Sequence, residues 1–266
     1  MLKKIAVLFA TLLLSAAPTF AGEYREIQDN SFLLEEAYNQ EDGVVQHIFT
    51  YQYMKGDNAL FTFTQEWPVP KQDHQLSYTI PVERIRGDGQ DDTGFGDVAI
   101  NYRYQAVLKD GIAFAPRFSL ILPTGDEKKG LGTGTVGYQV NFPLSIKLAE
   151  RWVTHYNMGF TFTPNSKDAT GSKADTVATN YGASAIFLAS KNLNLMLELV
   201  GGTEQVVVGN GVTNSENSLL VSPGLRYAID LGKLQVVPGI AFPIGFGPSK
   251  GEYGAFAYLS FEHPLF

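Results

Sequence analysis

Alternation of apolar and polar residues with a period of two dominates the chain from about Val44 onward. The clearest stretch runs from Val136 to Leu148, with an apolar side chain at every second position and mostly polar or small residues between. Because successive side chains of a β-strand point to opposite faces, this pattern predicts strands with one apolar and one polar face. The alternation recurs near residues 44–54, 59–69, 74–83, 95–107, 112–122, 134–148, 151–163, 177–189, 192–202, 218–229, 233–243 and 253–262.

The connections between these segments alternate in length from the third segment onward. Short connections such as 108–111 and 230–232 carry tight-turn residues. The long connections are rich in turn-forming and charged residues and lie at 84–94, 123–133, 164–176, 203–217 and 244–252. Long loops at one end and short turns at the other are typical of an outer-membrane barrel, and lipid requires the sheet to close because it cannot hydrogen-bond an edge. We therefore predict an all-β fold, a closed antiparallel transmembrane β-barrel of about twelve strands in meander order, over residues 44–266.

The N-terminal 43 residues precede this barrel and divide into two parts. Lys3 and Lys4 are followed by an apolar run from Ile5 to Leu14 and by small residues up to Ala21, which predicts a secretory signal peptide at 1–21. The run is too short for a transmembrane helix, so we expect export across the inner membrane. Together with the predicted barrel, export places the protein in the bacterial outer membrane. Residues 22–43 are read as an N-terminal periplasmic or plug segment. They could enter the lumen, form a lid or lead into the first strand, and the sequence favours a surface-packed or mobile lead-in.

Composition excludes several classes of function. The 266 residues contain no cysteine, so disulfides, thiolate metal sites and cysteine nucleophiles are impossible. Lys and Arg number 20 against 27 Asp and Glu, and without a basic block we expect no nucleic-acid binding. The phospholipase of the outer membrane needs a serine two residues after its histidine, whereas Asn157 follows His155. We expect no catalytic residue, no metal site and no cofactor, and therefore no enzyme.

The polar faces of the strands predict what lines the lumen. The candidates are Asp97, Asn101, Arg103, Arg117, Gln139, Asn141, Lys147, His155, Asn157, Glu198 and Arg226. Buried charges must pair or stay hydrated, so these residues describe either a watery path or an internal hydrogen-bonded network. In the first case the three arginines are candidates for selecting anions or carboxylated solutes. In the second they form internal salt bridges with Asp97 and Glu198.

Aromatic residues on the apolar faces predict an interfacial girdle at the periplasmic rim. Its members are Trp67, Tyr102, Tyr104, Trp152 and Tyr227. The chain ends on Phe266, as many outer-membrane barrels do, so outer-membrane lipid and the barrel insertion machinery are the expected partners. The oligomeric state stays open. A secreted β-sandwich or jelly roll is the rival fold, because its strands also alternate.

Two motifs between residues 93 and 134 resemble a known family. They read Thr93-Gly94-Phe95-Gly96-Asp97-Val98, and Leu122-Pro123-Thr124-Gly125-Asp126 followed by Gly130-Leu131-Gly132-Thr133-Gly134. This pattern is similar to the family named for the MetA pathway of phenol degradation. The resemblance implies an outer-membrane barrel, often called a transporter, and suggests small aromatic or hydrophobic solutes. The resemblance identifies no site residues in this chain. Taken alone, the two motifs predict the start of a strand and tight turns.

From these observations we expect an outer-membrane channel or transporter for the passive passage of small solutes. A non-conducting scaffold or partner-binding barrel is the alternative. The sequence does not identify the solute and does not decide whether the lumen is open.

Overall fold

Twelve antiparallel strands follow one another around a closed wall in the computed structural model, which describes residues 27, 29, 31–87 and 89–265. Strands β1 to β3 are Val44–Met54, Asn58–Pro68 and His74–Gly87. Strands β4 to β6 are interrupted, with segments Gln90–Phe95, Val98–Tyr104 and Val107–Lys109 in β4, Ile112–Phe114 and Arg117–Leu122 in β5, and Gly137–Asn141 and Leu144–Ala149 in β6. Strands β7 to β9 are Trp152–Lys167, Lys173–Leu188 and Leu193–Gly209. The last three are β10 (Val212–Tyr227 and Ile229–Leu231), β11 (Leu234–Ala241 and Ile244–Gly245) and β12 (Gly254–Pro264).

The wall closes between the last strand and the first. β12 pairs with β1 along its whole length, from Gly254 opposite Met54 to Pro264 opposite Val44. Every other strand pairs with its neighbours in the chain, so the predicted meander of twelve strands is confirmed. Closure gives each strand two partners, which is what a sheet surrounded by hydrocarbon requires. We call the end with Val44 and Pro264 the lower end and the opposite end the upper end.

Proline accounts for three of the interruptions in the wall. Pro116, Pro143 and Pro243 each lie in a gap between two segments of the same strand. Proline has no N–H to donate to the ladder, so it interrupts a strand without ending it. The pairing resumes beyond each gap, and the wall stays continuous.

Several strands extend further at the upper end than the sequence predicts. Residues 84–94, 164–176 and 203–217 were expected to be long loops, but they are mostly paired hairpin ends, with Gly87 opposite Gln90 and Gly209 opposite Val212. The expectation was wrong because alternating polarity stops where lipid stops, whereas backbone pairing does not depend on lipid. Of the upper connections, 123–136 and 246–253 remain as long loops in the described part of the chain.

The two faces of the wall differ in polarity as predicted. Large apolar side chains such as Met158, Phe160, Leu197 and Leu225 are exposed on the outer face. Inward positions carry buried polar side chains, including Asn101, Ser145, Asn194 and Ser222. A soluble sandwich would bury the apolar set, so this distribution belongs to a barrel that faces lipid. In the described residues no helix is long and apolar enough to cross a membrane.

The residues predicted to form a girdle lie near the lower ends of their strands. Tyr102, Tyr104, Trp152 and Tyr227 are exposed on the outer face, and Trp67 is half-buried. Two of them have aromatic neighbours on adjacent strands: the ring centroid of Trp67 is 6.0 Å from that of Tyr78, and Trp152 is 5.0 Å from Phe187. The Tyr102 hydroxyl is 2.7 Å from Nδ1 of His74. All five therefore lie on the outer face near the lower end of the barrel.

Candidate functional site

An irregular stretch of chain lies inside the lower half of the barrel. We call residues 27, 29 and 31–43 the inner segment. Ala37 is fully buried and Glu36 is 2% exposed, although neither belongs to a helix or strand. The sequence favoured a surface-packed or mobile lead-in. The described residues instead lie inside the lumen, because side chains of the wall supply hydrogen-bond partners for their backbone.

Inward side chains of the wall accept hydrogen bonds from the backbone of the inner segment. The Glu198 carboxylate accepts from the N–H groups of Phe32 (3.1 Å) and Leu33 (3.2 Å). The further acceptors, on β7, β6, β4 and β3, are Asn157 Oδ1 for Glu35 N (3.0 Å), Ser145 Oγ for Ala37 N (2.9 Å), Gln105 Oε1 for Asn39 N (2.9 Å) and Gln75 Oε1 for Gln40 N (2.8 Å). An irregular backbone is stable inside a barrel only when its polar groups are paired, and these side chains pair them.

Arg226 holds the beginning of the inner segment. Its guanidinium is fully buried and donates to the carbonyl oxygens of Ile27 (2.7 Å) and Asp29 (2.8 Å). It also donates to Oε1 of Glu36 at 2.7 Å, which makes a buried ion pair. Three acceptors from one stretch of chain use the fork geometry that distinguishes arginine from lysine.

Arg103 and Arg117 hold the middle of the inner segment. Arg103 donates to the carbonyls of Glu36 (3.1 Å) and Tyr38. Arg117 forms an ion pair with Glu35, with 2.6 Å between Nη2 and Oε1. Burial raises the pKa of the Glu35 carboxyl, but the charge and hydrogen bonds of Arg117 and the charge of Arg103 outweigh burial, so this pKa is lowered from 4.5.

The expected partners of these arginines were wrong. Asp97 pairs with no arginine in the described part of the chain and accepts hydrogen bonds from the N–H groups of Gly125 (2.9 Å) and Thr133 (2.8 Å). Glu198 accepts from backbone N–H groups, as described above. The sequence pattern of the barrel could not supply the true partners, because they lie in a segment without periodicity.

Asp97 thereby fixes the loop formed by residues 123–136 at the upper end. Thr124 Oγ1 donates to the carbonyl of Gly96 at 2.9 Å, next to Asp97 in the chain. A Cβ on Gly132 would lie 2.5 Å from Oδ1 of Asp97, so only glycine fits there. The two motifs singled out in the sequence thus meet in one anchored loop.

The remaining lumen candidates separate into buried and exposed residues. Asn141 and Asn157 are buried, and Asn157 contacts the inner segment by donating to the carbonyl of Glu35 at 2.8 Å. Gln139 is half-buried and accepts from Nη2 of Arg117 at 2.7 Å. Lys147 is exposed near the lower end of β6. The first three lie in the hydrogen-bonded interior, and Lys147 lies at its margin.

His155 takes part in an arrangement that the sequence did not predict. Its Nδ1 is 2.6 Å from Ser145 Oγ, and its Nε2 is 3.5 Å from Oε1 of Glu36. The order serine, histidine, carboxylate resembles a hydrolytic triad. Ser145 and His155 are both fully buried, and the serine oxygen already accepts from Ala37 N. No carbonyl substrate can reach that oxygen, so the arrangement anchors the inner segment.

Asp29 connects the inner segment to both strands of the closing seam. Its carboxylate accepts from Gln46 Nε2 on β1 at 2.6 Å and from the hydroxyls of Tyr258 and Ser260 on β12. All four residues are buried. The seam is thus bridged from inside the lumen.

Glycines of the wall make room for large side chains of the inner segment. A Cβ on Gly239 would lie 2.6 Å from the Phe32 ring, and one on Gly224 would lie 2.7 Å from it. A Cβ on Gly182 would lie 2.5 Å from Cδ2 of Leu34. These inward glycines are the one signal in the sequence that could have indicated an occupied lumen.

Substitution of Gly239 by Val is therefore expected to displace the inner segment, because its side chain needs the space of the Phe32 ring. The chain has no native cysteine, so one introduced by Leu34→Cys reports on this position alone. We expect maleimide labelling of this cysteine to be slow when Gly239 is retained and fast when Gly239→Val is added. Gly209→Val, at the upper end of β9, where a Cβ would meet only Cβ of Val212 at 3.8 Å, is the control and should leave labelling slow. Equal labelling in all three proteins would contradict the seating of Phe32.

Two cavities occupy the lumen above the inner segment. The middle cavity, of about 330 Å³, is bounded below by residues 31–35 and on its sides by β1 to β6 and Tyr258. The upper vestibule, of about 850 Å³, is bounded by the upper parts of β3 to β10. Gln139 lines both cavities. The two cavities therefore adjoin at Gln139, with the vestibule nearer the upper end.

Comparison with known proteins decides the family. The model of the family described as the MetA-pathway of phenol degradation matches residues 38–256. The chain belongs to this family. The match begins within the inner segment and covers the barrel as far as β12, and no curated protein matches the sequence.

Solved structures similar to this member of the MetA-pathway family are outer-membrane barrels. The COG4313 outer membrane channel from Pseudomonas putida F1 is 13% identical, with a TM-score of 0.62 over 85% of this chain and 97% of that one. The NanC porin is 9% identical, with a TM-score of 0.53 over 82% of this chain and 100% of that one. The KdgM porin is 8% identical, with a TM-score of 0.52 over 84% and 99% of the two chains. At these identities the likeness establishes the fold, that of a bacterial outer-membrane barrel.

Proposed function

We propose that the protein is a passive outer-membrane channel for small solutes, narrowed in its lower half by the inner segment. The observation that carries the proposal is the pair of cavities that lead down from the upper end to residues 31–35. Short turns of outer-membrane barrels face the periplasm, so the vestibule opens to the outside. Diffusion breaks no covalent bond, and the proposed passage needs neither a catalytic residue nor a cofactor.

The charges of the vestibule support a preference against anions. Its lining contains one lysine, Lys167, and five carboxylates, those of Glu83, Asp97, Asp168, Glu204 and Glu216. A cleft lined by one sign of charge repels solutes of that sign and concentrates the opposite one. The arginines that the sequence offered for anion selection are all engaged by the inner segment. We therefore assign neutral and cationic solutes to this path.

Planar-bilayer recording of the purified protein tests this function. We expect a small conductance whose reversal potential in a KCl gradient indicates cation preference, because the vestibule carries excess negative charge. The double variant Glu204→Gln/Glu216→Gln should lose much of the preference, and Glu252→Gln, in the 246–253 loop, serves as the control. Absence of any conductance in a protein that keeps the heat-modifiable mobility of a folded barrel would remove the channel and leave the fold.

One observation favours a second candidate, a non-conducting barrel that serves as a scaffold or binds a partner. The inner segment fills the lower lumen through many hydrogen bonds, and a permanently filled barrel conducts nothing. The recording above separates the two candidates. In both cases we propose that the outer face contacts lipid, that Trp67, Tyr102, Tyr104, Trp152 and Tyr227 lie at its periplasmic interface, and that the insertion machinery assembles the barrel. Phe266 and the predicted signal peptide lie outside the described residues.

A further inference from the structure

Two histidines lie side by side on the outer face of the barrel, one on each side of the closing seam. His47 belongs to β1 and His263 to β12, and their ring centroids are 5.5 Å apart. Gln46 and Ser260, on the same two strands, point inward and donate to Asp29, so the alternation of a strand turns both imidazoles outward. Both side chains are half-buried, so part of each ring is open to the surroundings.

The pair lies near the lower end of the barrel, at a level that ions can reach. His263 is opposite Val45 on β1. Gln46 is opposite Glu66 on β2, which places Val45 and His263 on about the level of Trp67. Trp67 belongs to the expected interfacial girdle, and residues at that level contact hydrated headgroups rather than the hydrocarbon centre. A dissolved metal ion therefore has access to this pair of imidazoles.

The contacts of the two rings leave a nitrogen lone pair on each. Nδ1 of His263 is 2.8 Å from the carbonyl oxygen of Pro264. A carbonyl only accepts, so Nδ1 carries the hydrogen and Nε2 keeps its lone pair, which is the arrangement that metal-binding histidines usually have. His47 makes no hydrogen bond to any residue that the structure describes, and its ring packs against Phe63 (6.3 Å between centroids) and Phe261 (5.3 Å). These contacts orient both rings without using Nε2.

The separation of the rings fits a single ion between them. A metal–nitrogen bond of about 2.0–2.1 Å puts the ion about 3.2 Å from each ring centre, so two imidazoles at a tetrahedral angle have centres about 5.2 Å apart. The observed distance is 5.5 Å, and the ring planes differ by 23°. No third histidine, aspartate or glutamate of the described chain completes a closed set of ligands, so the other coordination positions stay open to water.

We propose that His47 and His263 bind one divalent transition-metal ion across the seam. Imidazole nitrogen suits copper, nickel and zinc, and Cu²⁺ binds most tightly of these. The ion joins β1 to β12 from outside, at the same seam that Asp29 bridges from within the lumen. An ion that only the closed barrel can hold in this way stabilises the closed barrel. No part of the lumen takes part, so the site does not depend on the proposed channel.

Titration of the purified protein with Cu²⁺ tests the site, in detergent and without an affinity tag. We expect one ion per barrel, with an electron paramagnetic resonance spectrum that shows coupling to two nitrogen donors. Zn²⁺ should bind at least about tenfold more weakly, as the usual order of metal affinities requires. With free Cu²⁺ at about 100 times its Kd, the temperature at which the folded band disappears in a heat-modifiability assay should rise by about 5–10 °C. Addition of EDTA should reverse this rise.

Matched variants locate the ion. His47→Phe and His263→Phe each remove a ligand but keep an aromatic ring on the outer face, and each should lower the Cu²⁺ affinity at least about tenfold and abolish the temperature rise. His74→Phe is the control, because Nδ1 of this outer-face histidine is 2.7 Å from the Tyr102 hydroxyl, and it should leave both quantities unchanged. Coupling to a single nitrogen, an affinity within about threefold of the parent in either ligand variant, an equal loss in the control, or no temperature rise in the parent would each overturn the proposal.

Discussion

Deletion of residues 27–40 is expected to widen the lumen and to shift its selectivity toward anions. Without the inner segment, the lower lumen loses its filling and the Arg103, Arg117 and Arg226 guanidiniums lose their carboxylate and carbonyl partners. Two acids, Glu66 and Glu198, remain beside these three arginines, so the net charge exposed in the lower lumen becomes positive. We expect single-channel conductance to rise by roughly an order of magnitude, since a twelve-stranded barrel emptied of side chains lies between filled and aqueous barrels. The reversal potential in a KCl gradient should move toward anions.

The control for this deletion shortens the chain elsewhere. Replacement of residues 55–57 by Gly-Gly shortens the upper turn between β1 and β2, which is not part of the vestibule lining, and leaves the inner segment in place. That variant should keep the conductance and cation preference of the parent protein. If the deletion of 27–40 leaves both quantities unchanged in a folded barrel, the inner segment is not the barrier to ions.

Substitution of Arg226 by Ala has the second-largest expected effect. The change leaves Glu36 buried at 2% exposure without its cation and leaves the carbonyls of Ile27 and Asp29 without their donor. Loss of one member of a buried ion pair costs about 3–5 kcal/mol, because the remaining charge stays desolvated. We expect the inner segment to leave the lumen for much of the time. Maleimide should then rapidly label a cysteine introduced by Ala37→Cys, a position that is fully buried in the parent protein, and the conductance should approach that of the deletion variant.

Two comparisons isolate the ion pair. Arg151→Ala removes an arginine outside the lumen that donates to Leu188 O (3.2 Å) and Ala189 O (3.3 Å), and it should leave labelling at position 37 slow. Arg226→Met combined with Glu36→Met removes both charges and should restore much of the protection. Fast labelling in this double variant, equal to that in Arg226→Ala, would show that the carbonyl contacts and not the charge pair hold the segment.

The sequence predicted the wall well and its contents poorly. A strand has period two, so Leu197 and Leu225 could be placed outside and Asn101, Arg103 and Asn157 inside from local order alone. The upper hairpin ends were missed because polarity no longer alternates beyond the lipid, while pairing continues from Thr203 opposite Asn217 to Gly209 opposite Val212. Alternation reports the environment of a strand and not its length.

The occupants of the lumen depend on contacts between distant residues. Glu198 meets the backbone of Phe32 across 166 positions in the chain, and no periodicity connects the two. The candidate set held the three arginines and Glu198, which bind the inner segment, but it assigned Arg103 and Arg226 to the wrong acids. It also missed Gln75, Gln105 and Ser145, which accept hydrogen bonds from the same segment. Small inward residues gave the available hint, since Gly182, Gly224 and Gly239 leave space that only a large side chain from elsewhere can use.

Asp29 has a consequence for biogenesis. It hydrogen-bonds to Gln46 on the first strand and to Tyr258 and Ser260 on the last. A residue near the beginning of the chain therefore bridges a seam that can close only after the final residues have emerged. Sealing the cylinder and packing its interior are therefore coupled into one assembly step. If the inner segment is not in place, the barrel closes without the hydrogen bonds that Asp29 forms across the seam.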